Sequence, residues 1–162
     1  METVTAGGSS IAEVQALLRV LAAGHRRAGE IGTAFGKGGA AIAEGLPPGG
    51  TLVTVELDRT RAQVAREELS PFPNVRLIEG DWHKLATYAP FDLLFVDVHE
   101  AKTDPAVLDL VERGGLVVID DMTPDPPGLD PIREFWLRNP CVAGTEVLTT
   151  PDMGAILATR LS

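Results

Sequence analysis

A glycine-rich segment, Glu30–Gly38 with the sequence EIGTAFGKG, constrains the fold of this chain most strongly. It lies between a short apolar segment and a helix-like run that begins at Ala40. Because glycine reaches positive φ at little cost, Gly32, Gly36 and Gly38 allow a strand to turn sharply into a helix. The free N–H groups at the start of that helix can attract a carboxylate or a phosphate. Tight turns also use glycine without binding a ligand, so the segment alone leaves a purely structural role open.

An acidic residue follows this segment at the spacing expected for a nucleoside site. The run 51–57, TLVTVEL, is predicted to be a buried strand, and it places Glu56 near its carboxyl end. A carboxylate at the end of the second strand of a βαβ unit, about 20 residues beyond the glycine loop, can accept hydrogen bonds from two ribose hydroxyls. The two features together predict a ligand that contains a nucleoside. The alternative is that Glu56 ends its strand in solvent.

Composition favours a single acidic domain over residues 1–162. The chain is 44% hydrophobic and 23% charged, with a net charge of −9, and its length lies in the usual range for one domain. The negative charge disfavours a broad contact with nucleic acid or with a membrane surface. Cys141 is the only cysteine, which excludes an internal disulfide and a cysteine-based zinc cluster. Since no apolar run of about 20 residues and no signal peptide are recognisable, we expect a soluble cytoplasmic protein.

Helices and strands alternate along most of the chain. After an N-terminal extension, residues 11–23 carry an apolar stripe at helical spacing behind a Ser9 or Ser10 cap, and this stripe is typical of a core-facing helix. Such alternation predicts a parallel sheet with right-handed crossovers and with polar residues at its carboxyl edge. The other predicted helices are 40–46, 59–69, 105–111 and 131–137, and the predicted parallel strands are 27–31, 51–57, 75–79, 91–98 and 116–120.

The last two strand-like runs, 142–148 and 155–159, are separated only by TTPDMG. A link of this length is too short for a parallel crossover, so the two runs must pair as an antiparallel hairpin. A dinucleotide dehydrogenase does not end this way, which disfavours a nicotinamide enzyme. We therefore predict an α/β fold with a Rossmann-like, doubly wound, seven-stranded sheet that is mostly parallel and has a C-terminal antiparallel hairpin.

The motifs EIGTAFG, VTVELD, EGDW, FDLLFVD and GGLVVIDD, followed by the hairpin, resemble S-adenosylmethionine-dependent methyltransferases of the seven-stranded Rossmann-like class. Within this class the chain is most similar to the small-molecule O-methyltransferase branch, which includes catechol and caffeoyl-coenzyme A enzymes. The resemblance covers about 14–160. It implies S-adenosylmethionine as the cofactor and a hydroxyl of a small molecule as the methyl acceptor. Members of this branch are often dimers, so we also expect a two-fold homodimer.

The resemblance implies which residues hold the cofactor. The glycine loop would line its methionine and ribose part, Glu56 would accept the ribose hydroxyls, and Leu57 would pack on the adenine. Asp81 would accept a hydrogen bond from the adenine amino group beside Trp82, although Trp82 is also consistent with a core or lid aromatic. Ala34 stands where the family usually has a third loop glycine, which restricts φ. The complete set is Glu30, Gly32, Thr33, Ala34, Phe35, Gly36, Glu56, Leu57, Asp81, Trp82 and Asp97.

The resemblance also implies a metal site. Metal-dependent members of the branch carry an aspartate at the end of strand four, an aspartate and an asparagine at the end of strand five, and a lysine base three residues after the first aspartate. In this chain Asp97, Asp120 and Asp121 stand at the ligand positions, and Glu100 replaces the lysine. Three carboxylates suit Mg²⁺ or Ca²⁺, and without a cation they would raise one another's pKa. Asp121 could instead face solvent or cap the next turn.

The sequence leaves more than one candidate for the base that would deprotonate the acceptor. Asp97 and His99 are the candidate catalytic residues, because an imidazole exchanges protons near neutral pH; a lone loop histidine is equally typical of a protein surface. Glu100 is the other candidate. Because Ala34 and Glu100 depart from the family pattern, a catalytically weak or inactive cofactor-binding sensor is the alternative function. Only residues 1–10 and the loop 122–130 remain to cover the acceptor.

Overall fold

The computed structural model describes residues 9–162 and arranges seven strands in one mixed sheet. The strands are β1 (Arg27–Ile31), β2 (Thr51–Glu56), β3 (Val75–Glu79), β4 (Phe91–Val96), β5 (Val111–Met122), β6 (Val142–Thr150) and β7 (Met153–Arg160). Their spatial order is β3-β2-β1-β4-β5-β7-β6. The first five strands in this order are parallel, and β7 is antiparallel to both β5 and β6. The predicted fold class and the closing hairpin are confirmed.

Helices follow most of the parallel strands. They are α1 (Ala12–Ala22), α2 (Lys37–Gly45), α3 (Arg59–Leu69), α4 (Ala106–Asp109) and α5 (Pro131–Leu137), with 3₁₀ helices at Trp82–Thr87 and His99–Thr103. Within residues 9–162, none of these helices has the length and apolar character needed to cross a lipid bilayer.

The central strand β4 explains why the run FDLLFV contains almost no polar residues. Successive side chains of a strand point to opposite faces of the sheet. Leu94 and Val96 belong to one hydrophobic core, which contains Trp136 of α5, whereas Leu93 and Phe95 belong to a second core with residues of α1 and α2. A parallel strand covered on both faces must therefore be apolar throughout.

Several boundaries differ from the sequence prediction. The helix predicted at 105–111 is shorter because Val111 already pairs with Phe91 at the start of β5. The two 3₁₀ helices have no apolar periodicity long enough to be recognised. The predicted serine cap of α1 is wrong, since Ile11 is the N-cap residue and provides no side-chain hydrogen bond. The predicted cap of α3 is confirmed, because Oδ1 of Asp58 accepts a hydrogen bond from the N–H of Arg61 at 2.8 Å.

Gly29 is an unexpected residue for the middle of a central strand, because glycine is depleted in strands. It pairs with Val53 of β2 and with Leu94 of β4. A Cβ atom at this position would lie 2.8 Å from Cδ2 of Phe91 and 3.0 Å from Cδ1 of Leu94. The side chain of Phe91 is almost fully buried, so its ring has little room to move. Gly29 is thus required by packing.

We expect Gly29→Ala to lower the free energy of unfolding by about 1–3 kcal/mol, the range observed for overpacked cores. Urea unfolding measures this change. Gly24→Ala is the matched control, because the nearest atom to its added Cβ would be 3.8 Å away, and it should stay within about 0.5 kcal/mol of the wild type. An unchanged transition midpoint in Gly29→Ala would contradict the packing argument.

Candidate active site

A cavity of about 260 Å³ opens at the carboxyl edge of the sheet. It lies beside the ends of β1 and β4. The strands β2 and β3 lie on one side of β1, and β4 and the later strands lie on the other side. Open α/β sheets bind their ligands at the point where the strand order reverses in this way. The residues that line it are Gly32, Val55, Glu56, Leu57, Gly80, Asp81, Trp82, Val98 and Glu100. Five of the residues expected to bind a cofactor therefore meet at one cavity: Gly32, Glu56, Leu57, Asp81 and Trp82.

The carboxylate of Glu56 is held by two main-chain N–H groups. Ala34 donates to Oε2 at 2.7 Å, and Asp58 donates to Oε1 at 3.0 Å. Glu56 is only 6% exposed, yet it lines the cavity. Since each carboxylate oxygen can accept more than one hydrogen bond, both oxygens keep acceptor capacity for a ligand.

Three residues of the glycine loop, Gly32, Ala34 and Gly36, have left-handed backbone conformations. Gly32 has φ +92°, and a Cβ atom there would lie 2.8 Å from Cγ2 of Val98. Ala34 has φ +48°, a conformation that costs a residue with a Cβ roughly 1–2 kcal/mol. Its hydrogen bond to Glu56 stabilises this conformation. The structure thus accommodates alanine at the position where the sequence comparison expected a third glycine.

Thr33, Ala34, Phe35 and Gly36 of the expected loop residues lie outside the cavity lining, as does Asp97. Gly36 is the N-cap residue of α2, and a Cβ atom on it would lie 3.1 Å from Cβ of Glu68 in α3. Thr33 is buried and shares a hydrogen bond of 2.6 Å with the hydroxyl of Thr54. Phe35 is also outside the lining. Thr33 and Gly36 therefore contribute to the position of the loop through contacts with β2 and α3.

Glu30 is buried beneath the first turn of α2, also outside the cavity lining, and is only 1% exposed. Its Oε2 accepts a hydrogen bond from Thr54 at 2.5 Å, and among the described residues its Oε1 has no partner. Burial raises the pKa of Glu30 to about 8, so the carboxyl is protonated at neutral pH. Cβ atoms on Gly38 and Gly39 would lie 2.7 and 2.8 Å from its two oxygens. The pair of glycines inside α2 is the sequence signal for this close approach.

Asp81 and Trp82 form the wall opposite the glycine loop. Asp81 is the N-cap residue of the first 3₁₀ helix, and its Oδ1 accepts from the N–H of His83 at 2.9 Å. This hydrogen bond and the contact with the His83 ring hold the pKa of Asp81 below its ordinary value. Trp82 stacks on the same imidazole, with 3.9 Å between the ring centroids. The wall therefore offers an ionised acceptor next to an aromatic ring.

Three carboxylates meet at the neighbouring strand ends. One carboxylate oxygen each from Asp97, Asp120 and Asp121 lie within 4.8 Å of one another. Asp120 and Asp121 are adjacent on β5 and would ordinarily point to opposite faces of the sheet. The pairing with β7 shifts between Ile119 and Met122, and Asp121 has φ +57°. This bulge brings both side chains to the same place, as bulges at sheet ends often do.

The acidic cluster of Asp97, Asp120 and Asp121 is strongly perturbed. Burial, with the nearby carboxylates of Asp121 and Asp120, raises the pKa of Asp97 to about 8. Burial likewise raises the pKa of Asp120. Oδ1 of Asp97 is buried and has no hydrogen-bond partner among residues 9–162. An oxygen-only donor set of this kind fits a hard cation such as Mg²⁺.

Sequence analysis did not single out Lys102, whose ammonium contacts the acidic cluster. It lies in the second 3₁₀ helix, is 5% exposed, and its Nζ donates a hydrogen bond of 2.7 Å to the main-chain oxygen of Asp120. Lysine is almost never fully buried. Because the sequence predicts no helix at this position, the segment is expected to be a surface loop. In the same helix Glu100 lines the cavity, whereas the exposed His99 lies outside its lining.

Comparison with known proteins agrees with this geometry. A family model described as a methyltransferase domain matches residues 30–122. The chain belongs to this methyltransferase family. Its resemblance to Rossmann-like methyltransferases, expected from the sequence, is confirmed.

Two solved structures superimpose on most of this methyltransferase chain. An O-methyltransferase from Bacillus cereus in complex with SAH is 25% identical, with a TM-score of 0.79, and the match covers 96% of this chain and 84% of that one. TomG from Streptomyces achromogenes, an O-methyltransferase involved in tomaymycin synthesis and solved with SAM, is 28% identical, with a TM-score of 0.79 and coverage of 96% and 82%.

A curated relative matches a shorter part of the methyltransferase chain. Protein-L-isoaspartate O-methyltransferase from Ignicoccus hospitalis is 33% identical over 93 residues, which are 56% of this chain and 44% of that protein. The match thus spans less than half of the relative's length.

The raised pKa of Glu30 predicts a pH-dependent stability. The folded protein keeps the Glu30 proton up to about pH 8, whereas the unfolded chain releases it near the ordinary value of 4.5. Between these values the folded state binds more protons, so the free energy of unfolding falls as the pH rises. This contribution is complete below about pH 4.5 and is lost as the pH passes about 8.

Glu30→Gln removes this titration and should flatten the pH dependence. Denaturant unfolding at about pH 5.5 and pH 8.5 measures the effect, and we expect the wild type to lose at least about 1 kcal/mol more than the variant between these conditions. Glu67→Gln, at an exposed carboxyl of α3, is the control and should behave as the wild type. Equal pH dependence in the wild type and in Glu30→Gln would contradict the assignment.

Proposed function

We propose that this chain is an S-adenosylmethionine-dependent methyltransferase that transfers the methyl group to a hydroxyl of a small molecule. The observation that carries the proposal is the Glu56 carboxylate, fixed by two main-chain N–H groups on the wall of a cavity at the switch point. The two solved O-methyltransferases that resemble the chain contain SAH and SAM, which supports the same cofactor here.

The cavity wall suggests how the cofactor would lie. The ribose hydroxyls would donate to the free acceptor positions of Glu56, and the adenine would lie between Leu57 and Trp82. The ionised Asp81 would accept from the adenine amino group. The methionine part would then extend along Gly32 towards Asp97, whose carbonyl carbon is 3.4 Å from a Cβ atom placed on Gly32. The sulfonium methyl would thereby face the acidic cluster.

Methyl transfer from a sulfonium is an in-line displacement, so the protein mainly orients two reactants and removes one proton. Asp97 is our candidate base, because its main chain lies against Gly32 of the cavity wall and its carboxyl is the most perturbed member of the cluster. Glu100 on the cavity wall is the second candidate. If Mg²⁺ is bound, the three aspartates would hold it, and the ion would stabilise the developing alkoxide.

The alternative of an inactive sensor has no support from the residues that suggested it. Ala34 adopts the loop conformation despite its Cβ, and Glu100 faces the cavity. The loop after β5, 122–130, remains the candidate cover of the acceptor; residues 1–8 of the other expected cover lie outside the described part of the chain.

A cytoplasmic location and a two-fold homodimer are further proposals. The dimer is supported by the resemblance to the O-methyltransferase branch, and a closed two-fold contact is the commonest arrangement of homo-oligomers. Light scattering at micromolar concentration distinguishes a dimer from a monomer.

Loss of the Glu56 carboxylate should weaken cofactor binding. We expect Glu56→Gln to lower the affinity for S-adenosylmethionine by about 1–3 kcal/mol, the range for hydrogen bonds to a charged group. Calorimetry measures the change. Glu79→Gln is the control, since Glu79 ends the neighbouring strand in register with Glu56 but lies outside the cavity lining. Equal affinities in the wild type and Glu56→Gln would remove the ribose assignment.

The candidate bases can be separated by turnover. With labelled cofactor and a panel of phenolic and catecholic acceptors, Asp97→Asn should lower kcat about 10²- to 10⁴-fold, the usual contribution of a general base. His99→Ala should change kcat little, because the imidazole is exposed and is not part of the acidic cluster. A large loss in His99→Ala with an unaffected Asp97→Asn would reverse the assignment, and a large loss in Glu100→Gln alone would transfer the role to Glu100.

A further inference from the structure

The acidic cluster contains a positive charge that belongs to the protein. Lys102 is 5% exposed, and its ammonium donates to the main-chain oxygen of Asp120 at 2.7 Å. Because that oxygen belongs to Asp120, the ammonium lies beside the acidic cluster. The ammonium therefore acts on the cluster through a poorly solvated interior, where charges interact more strongly than in water.

Lys102 is also fixed in position. The indole N–H of Trp136 donates to the main-chain oxygen of Lys102 at 2.6 Å, and Trp136 in α5 is 0% exposed. The Trp136 contact fixes the main chain of Lys102, and the Asp120 contact holds its ammonium. Moving the ammonium out to solvent would break the second contact, so the charge stays beside the cluster.

A single fixed positive charge changes the balance of the cluster. Three ionised carboxylates alone would carry a net charge of minus three, which strongly attracts a divalent cation. The ammonium of Lys102 makes this net charge one unit less negative, and it repels an incoming cation. Both effects weaken cation binding, because Coulomb interactions in the protein interior are only partly screened.

We propose that Lys102 is the built-in cation of the acidic cluster: it supplies charge that a divalent metal ion would otherwise supply, and it keeps the affinity of the three aspartates for such an ion low. This inference goes beyond the proposed function, because the cation affinity can be measured without cofactor or acceptor. In the methyltransferase reaction it means that the carboxylates remain available to the acceptor hydroxyl when little metal is bound.

The test uses Mn²⁺ as the probe, since carboxylate sites that suit Mg²⁺ also suit Mn²⁺. Calorimetry compares the wild type with Lys102→Met, which removes the charge and keeps a similar shape, and with Lys102→Arg, which keeps the charge. We expect Lys102→Met to bind Mn²⁺ at least about tenfold more tightly than the wild type, and Lys102→Arg to stay within about threefold. Adding Asp121→Asn to Lys102→Met should abolish the gain. Equal or weaker binding by Lys102→Met would overturn the proposal.

Thermal unfolding gives a second readout that a purely structural lysine would not produce. In the presence of a chelator, Lys102→Met should melt below the wild type, because the carboxylates lose their counter-charge. Millimolar Mn²⁺ should recover much of that loss in Lys102→Met but shift the wild type little. A loss that Mn²⁺ does not recover would assign Lys102 a structural role only.

If Lys102→Met does not fold, the affinity of the wild type for Mn²⁺ still tests the proposal. The proposal requires weak binding, with a dissociation constant for Mn²⁺ above about 0.1 mM, whereas sites built for tight cation binding reach micromolar values or lower. A micromolar constant that is lost in Asp121→Asn would contradict the proposal.

Discussion

Two main-chain N–H groups on the carboxylate of Glu56 determine the shape of the proposed cofactor site. They come from Ala34 in the glycine loop and from Asp58 at the start of α3, so one side chain at the end of β2 joins the loop to the turn between β2 and α3. Ala34 can hold its left-handed conformation because this hydrogen bond offsets the strain. The position of the glycine loop therefore depends on the position of the end of β2 and the start of α3.

The second constraint is the concentration of carboxyl groups near the carboxyl edge of the sheet. Glu30 and Asp97 are buried at or below this edge, and burial raises the pKa of each to about 8. The surroundings of the two groups differ: Glu30 lies beneath α2 beside Thr54, whereas the ammonium of Lys102 partly offsets the rise in the pKa of Asp97. Buried polar groups of this kind lower stability and persist at functional sites.

The sequence predicted the sheet well because strand and helix patterns are strong where both faces are covered. The run FDLLFV and the glycine loop are local signals, and the short link TTPDMG forces the hairpin geometrically. Other features depend on contacts between distant residues. Gly29 is explained by Phe91 and Leu94, and the convergence of Asp120 and Asp121 depends on a bulge against β7. The main chain of Lys102 is held by Trp136 of α5. No local pattern contains such information.

The most direct test of the account is a crystal structure of the protein with SAH bound. The account predicts the ribose hydroxyls within hydrogen-bond distance of Glu56, the adenine between Leu57 and Trp82, and the sulfur directed towards Asp97. A ligand bound elsewhere, or one whose ribose leaves the Glu56 carboxylate with only its Ala34 and Asp58 contacts, would contradict it.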